Sequence, residues 1–214
     1  MDSVAEYLAH RGHLVVSLDP SARMYREADA ERRELWRPGA SPEEVARAFT
    51  SGDFGEQLDQ LCDEIVHSPV RLVGLYVDRF GRWAATHLAR ALMKRNIRIA
   101  VVAFGPGTEH EEQRRELLGG KVDYLLVAEE ELGLDALTEP LLNGRDAPPT
   151  PGVLPASFRT GFPYQDPQPI NLDDLPMASF RDLSLEDYVP SPEGRYLQLE
   201  SSRGALQRGI FVAN

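Results

Sequence analysis

Val70-Arg71-Leu72-Val73-Gly74-Leu75-Tyr76-Val77 and, further on, Arg98-Ile99-Ala100-Val101-Val102-Ala103-Phe104 are the two runs that decide the fold. Neither shows the clean polar alternation of a half-solvated strand, so each reads as a strand covered on both faces. Between them, Trp83 to Arg95 carries Ala84, Leu88, Ala91 and Leu92 at helical spacing, as expected of a helix laid on a sheet. A strand, a helical crossover and a second strand make a parallel pair.

The same rhythm continues outward in both directions. Downstream, Glu111 to Leu118 reads as a short polar helix closed by Gly119-Gly120, Val122 to Val127 as a strand, and Leu132 to Leu142 as a last helix. Upstream, Leu58, Leu61, Cys62, Ile65 and Val66 fall at i, i+3, i+4, i+7 and i+8, which predicts a helix with Cys62 on its buried stripe. Ser41-Pro42-Glu43-Glu44 is a helix start with a capping-box pattern. The charged stretch from Arg23 to Trp36 is expected to be helical in part. Leu14-Val15-Val16-Ser17-Leu18 reads as a buried strand ending at Asp19-Pro20, and Val4, Tyr7 and Leu8 as the stripe of a first helix stopped by Gly12. The expected fold is α/β: a doubly wound, mostly parallel, Rossmann-like (flavodoxin-like) sheet over residues 1–144. Residues 145–195, rich in proline and polar side chains, read as a linker or wrap with no core of their own.

Charge and cysteine content narrow the function. With 23 Lys+Arg against 34 Asp+Glu and a net charge of −11, the chain is a poor fit for nucleic acid or an anionic membrane. No apolar run approaches the roughly 18–20 residues of a membrane span, so a cytoplasmic protein is expected. The single Cys62 excludes an intrachain disulfide and a thiolate metal cage within one chain. The five histidines show no paired ligand spacing. In open α/β sheets ligands bind beyond the carboxyl ends of the strands, which directs attention to three loops. Gly105-Pro106-Gly107-Thr108 either lets a backbone approach a ligand or makes a tight turn; Asp78-Arg79-Phe80-Gly81 is a rim or a solvated loop. Glu129-Glu130-Glu131 suits a helix N-terminus, where the dipole favours carboxylates.

Taken in order, several segments resemble one family. These are Tyr7-Leu8-Ala9-His10-Arg11-Gly12-His13, Val73-Gly74-Leu75, Phe104-Gly105-Pro106-Gly107, and Asp123-Tyr124 with Ala128-Glu129-Glu130-Glu131. Leu172-Asp173-Asp174-Leu175-Pro176, Asp187-Tyr188 and Glu200-Ser201-Ser202-Arg203-Gly204 complete the series. Together they resemble the cobalamin-dependent radical S-adenosylmethionine enzymes, in which a cobalamin-binding domain precedes a catalytic barrel. The resemblance implies cobalamin as cofactor, with no axial histidine from the protein. It implies contacts from Tyr76, Val77, Asp78, Arg79, Phe104, Gly105, Pro106, Gly107, Thr108, Ala128 and Glu129. It makes residues 196–214 the remnant of a first barrel strand and cluster loop. The three cluster positions hold Ala205, Gly209 and Val212, none of which offers a ligand atom, so neither an iron–sulfur cluster nor a catalytic residue is expected.

The family's first, central strand is expected to be missing, because only Met1-Asp2 precedes the first helix. The sheet then has three remedies: direct closure of Leu14–Leu18 onto Val70–Val77, expected first; a strand donated by another chain; or fold-back of Tyr196–Leu199. The function this implies is a corrinoid-binding module without radical chemistry. The alternatives are a non-catalytic subunit or fragment of a composite methyltransferase-like enzyme, or a remnant kept as an interaction domain. Expected partners are a corrinoid and, where the sheet or the chemistry is completed by another chain, a protein supplying a strand or a barrel, with neither nucleic acid nor membrane.

Overall fold

Side chains mark where the elements begin and end. Ser41 accepts from the Glu44 N–H at 3.1 Å while the Glu44 carboxylate accepts from the Ser41 N–H at 3.0 Å, a complete capping box. Asp19 caps the next-to-first helix through the Ala22 N–H, with Pro20 in its first turn. Gly12 takes φ +92° just past the first helix, the left-handed stop that glycine adopts most easily.

The computed structural model describes residues 2–37, 39–78, 81–127, 129–157, 165 and 169–177. Among these, the helices are α1 (Asp2–His10), α2 (Pro20–Glu27), α3 (Ala30–Arg33), α4 (Pro42–Ser51), α5 (Gly55–His67), α6 (Arg82–Arg95), α7 (Glu111–Gly119) and α8 (Glu130–Leu142). The strands are β1 (Leu72–Tyr76), β2 (Ala100–Phe104), β3 (Tyr124–Leu126) and β4 (Val153–Pro155), in the spatial order β1-β2-β3-β4. The first three are parallel and β4 runs antiparallel to β3.

Alternate strand residues feed two cores. Val101, Ala103 and Leu125 join Leu58, Leu61 and Cys62 of α5 and Leu88, Ala89 and Leu92 of α6 on one face. Val102, Phe104 and Leu126 join Val4 and Leu8 of α1 and Leu134 and Leu137 of α8 on the other. Helices on both faces explain why the strands read as continuous apolar runs. Cys62 is wholly buried, and desolvation pushes its thiol up to about 11, so at neutral pH it is a thiol packed as a small hydrophobe. On α6, Leu88, Ala91 and Leu92 are buried as the sequence reading expects; Ala84 is only half-buried, and Ala85 and Ala89 join the core beside them. No helix among the described residues is long and apolar enough to cross a membrane.

Two segments depart from expectation. Leu14–Leu18 belongs to no strand, and Leu14, Val16 and Leu18 are 95%, 69% and 53% exposed. Only Val15 packs inward, against the α1–α8 core, and the segment carries the chain from α1 on one face to α2, whose Met24 lies in the core of the other. No backbone hydrogen bond is made by Leu14–Leu18 among the described residues. Direct closure onto β1 is therefore not formed; among the described residues β1 pairs with β2 alone. The proline-rich stretch, in turn, contributes β4, whose Leu154 is buried against the α5–α6 side. Pro155 is tolerated there because, among the described residues, β4 lies at the sheet edge and loses no obligatory ladder bond. Tyr196–Leu199 lies outside the described residues.

Candidate functional site

The carboxyl ends of β1 and β2 are joined into one rim by backbone hydrogen bonds. Val77 N–H donates to Phe104 C=O at 2.7 Å, and Gly107 N–H donates back to Val77 C=O at 2.7 Å. Pro106–Thr108 forms a 3₁₀ turn entered through Gly105 at φ +99°, a backbone region that disfavours any side chain. The Thr108 hydroxyl is buried, 2.9 Å from Gly105 C=O and 2.6 Å from Leu126 C=O, so it ties the β2 loop to the end of β3. Across the rim, the Asp78 carboxylate accepts from Gly81 N–H. The Tyr76 ring meets Phe104 edge-on at 5.9 Å.

The glycines of this rim answer to packing. A Cβ on Gly107 would lie 2.6 Å from Val77 Cγ1 and 2.8 Å from Asp78 O; one on Gly105 would lie 2.9 Å from the Tyr76 ring. Any side chain at either position pushes the two loops apart. At the third loop, Glu129 takes a left-handed φ of +49° and starts α8, and Glu131 is wholly buried in its first turn. Amide groups and the dipole at a helix N-terminus favour a carboxylate there. Gly133 lets α8 lie on Leu126, whose Cδ2 would be 3.0 Å from an added Cβ.

Of the residues singled out from sequence, Tyr76, Val77, Asp78, Phe104, Gly105, Pro106, Gly107 and Thr108 come together at this rim. Only Tyr76, Asp78 and Pro106 are exposed; the others build it from beneath. Glu129, half-buried, stands one strand over, after β3. Arg79, Ala128, Ala205, Gly209 and Val212 lie outside the described residues. Asp123, part of the matched Asp123-Tyr124 segment, sits at the opposite end of the sheet. Its carboxylate accepts from Val101 N–H at 2.8 Å; although the residue is exposed overall, partial desolvation of the carboxyl at the strand end raises its pKa from the usual range while that hydrogen bond works against the shift. Sequence reading missed Arg114, whose guanidinium donates to Thr108 C=O and, at 2.8 Å, to Glu109 C=O, bracing the β2 loop. An arginine facing outward on a polar helix carries no signal of that work.

Among the described residues no group of three or more His, Cys, Asp or Glu side chains is placed to hold a metal ion. A cleft of about 170 Å³ lies at the amino ends of β1 and β2, lined by Ser68, Pro69, Val70, Arg71, Asn96, Arg98 and Ile99. It is below the roughly 300–1,000 Å³ of usual ligand pockets and at the wrong end of the strands for this class of sheet.

Fold and rim together define an α/β protein with a mostly parallel open sheet, compatible with a Rossmann-like fold. Comparison of the chain with known protein families, curated proteins and solved structures returns no match.

Proposed function

We propose that the chain is a cobalamin-binding module related to the cobalamin-dependent radical S-adenosylmethionine enzymes, holding a corrinoid without an iron–sulfur cluster of its own. The observation that carries this reading is the rim: loops after two adjacent parallel strands, locked together by the Gly107–Val77 hydrogen bond, with Tyr76 and Pro106 exposed on it. Such a surface suits a large, flat, mostly apolar ligand that lies on strand ends and does not enter a cavity. The glycines keep the backbone low beneath it, and Thr108 and Arg114 fix the β2 loop. Cobalamin supplies a cobalt that can carry a transferable alkyl group; the residues of this chain hold and orient the ring.

In this reading β1, β2 and β3 correspond to the last three strands of a five-stranded flavodoxin-like sheet. Residues 145–195 then correspond to the linker toward a barrel, and 196–214 to its first strand and a cluster loop without cysteines.

Titration with hydroxocobalamin, followed by its visible spectrum and by calorimetry, tests the proposal. Saturable binding is expected in a state lacking protein imidazole, so His110→Ala leaves the bound spectrum unchanged. Gly107→Val, which separates the two loops, abolishes binding while circular dichroism still reports a folded chain. No spectral change or heat at high micromolar ligand would overturn it.

A further inference from the structure

Ser68 caps the end of α5 and Asn96 the end of α6, and from each the chain turns into the start of β1 or β2. These two turns enclose the cleft of about 170 Å³ at the amino ends of the strands. Arg71 and Arg98 are among its lining residues, and no carboxylate is. That is a reversal of sign in a chain with 34 Asp+Glu against 23 Lys+Arg. Elsewhere guanidiniums are committed to carboxylates: Arg23 to Glu27 and Glu64, Arg95 to Asp59 and Asp63, Arg82 to Glu116. Arg71 and Arg98 are exposed and have no side-chain partner among the described residues.

What the polar side chains of this lining have left to offer is donors. The Asn96 side-chain carbonyl accepts from Arg98 N–H at 3.0 Å, which leaves its NH₂ group to give. The Ser68 hydroxyl already donates to Ile65 C=O at 2.6 Å. Two guanidinium forks and an amide suit a negatively charged group that only accepts. A carboxylate has two oxygens to divide among three donor groups, whereas a phosphate group presents oxygens on several sides and carries more charge. The cleft is too small for a corrinoid but admits a group of a few heavy atoms, since one water takes up about 30 Å³ in the liquid. The carbonyl ends of α5 and α6 oppose an anion with about half a charge each, against a full charge on each guanidinium. Asp123, at the same end of the sheet, does not line the cleft, and its carboxylate accepts from Val101 N–H.

We propose that this cleft binds a phosphate group, free or at the end of a larger molecule, through Arg71, Arg98 and Asn96. It lies at the opposite end of the strands from the rim, so the corrinoid reading can fail without it, and it without that reading. Amide NMR of the full chain tests it, with inorganic phosphate titrated against chloride at matched ionic strength. Saturable shifts in the millimolar range are expected at Arg71, Asn96 and Arg98, with Val77 and Gly107 unmoved. Phenyl phosphate separates the two sources: tighter binding of the ester indicates a larger phosphorylated molecule, tighter binding of the ion free phosphate. Arg71→Gln with Arg98→Gln, both on exposed side chains, keeps the circular dichroism of the parent and weakens binding by about tenfold or more. Arg71→Lys with Arg98→Lys keeps the charge, loses the forks, and falls between the two. Shifts that stay linear in phosphate or scatter over the surface overturn the proposal, as does a glutamine variant that binds like the parent. If phosphate raises the melting temperature of parent and glutamine variant alike while the variant melts lower throughout, the arginines serve the carbonyl ends of α5 and α6, and the proposal fails.

Discussion

Thr108 holds one buried hydroxyl between two backbone carbonyls, 2.9 Å from that of Gly105 and 2.6 Å from that of Leu126. Thr108→Val keeps the shape and removes the hydroxyl, leaving the Leu126 carbonyl without that partner while the Gly105 carbonyl keeps the backbone N–H of residue 108. The expected loss is about 1–3 kcal/mol of stability, read from urea unfolding, together with weaker hydroxocobalamin binding as the β2 loop loosens. Asp123 gives a prediction of opposite sign. Its folded-state pKa is raised, chiefly by desolvation, so the stability tied to the protonated form is present below the ordinary aspartate pKa of about 3.9 and is lost as pH rises through the raised value. Asp123→Asn keeps an oxygen to accept from Val101 N–H and has no charge to desolvate. Its stability should match the parent in acid and exceed it at neutral pH, as paired urea titrations would show; a variant weaker at neutral pH would mean that ionised Asp123 is stabilising the sheet.

Leu14–Leu18 shows what apolar patterning determines at the level of an element and what it leaves open. With Val16 69% exposed and the segment in no ladder, Val16→Lys should move stability by no more than about 0.5 kcal/mol. The same change at Val102, fully buried in β2, should abolish cooperative unfolding. A large loss at Val16 in thermal melts would show that the run is buried after all. The sequence of this segment is that of a strand, but a strand needs a neighbour, and patterning within five residues does not encode whether one is present. Helices were legible because their evidence is local: Ser41 and Glu44 cap their own backbone, and Leu58, Leu61 and Cys62 share one face whatever lies opposite. β4 was not legible, since Val153-Leu154-Pro155 is short, lies among prolines, and owes its strand geometry to β3. At the site, strand-end position pointed to Tyr76–Asp78 and Gly105–Thr108, while Arg114 is recognisable only once α7 is folded back beside the β2 loop.

The sheet is a thin partition between two cores, which raises the question of whether the molecule melts as one body. β3 and β4 are three residues long, so communication between the faces runs through few residues: Val101 and Ala103 point one way, Val102 and Phe104 the other. Both tryptophans report from the same side. Trp36 packs edge-on against Phe54 of the α5–α6 core, and Trp83 begins the α6 helix with Arg82 over its ring at 4.0 Å. Leu137 of α8 is wholly buried in the core on the other face. Leu137→Ala removes about 2–5 kcal/mol from a net stability that for a domain is about 5–15 kcal/mol. Because successive residues of one backbone fill both cores, β2 cannot keep its position on one face after losing the other. Tryptophan fluorescence and far-ultraviolet circular dichroism should therefore report the same lowered midpoint in Leu137→Ala, although no tryptophan belongs to the damaged core. A dichroism midpoint that falls while the fluorescence midpoint stays would instead show that the α1–α8 layer can detach by itself, leaving the β1–β2 pair and its rim standing on α5 and α6.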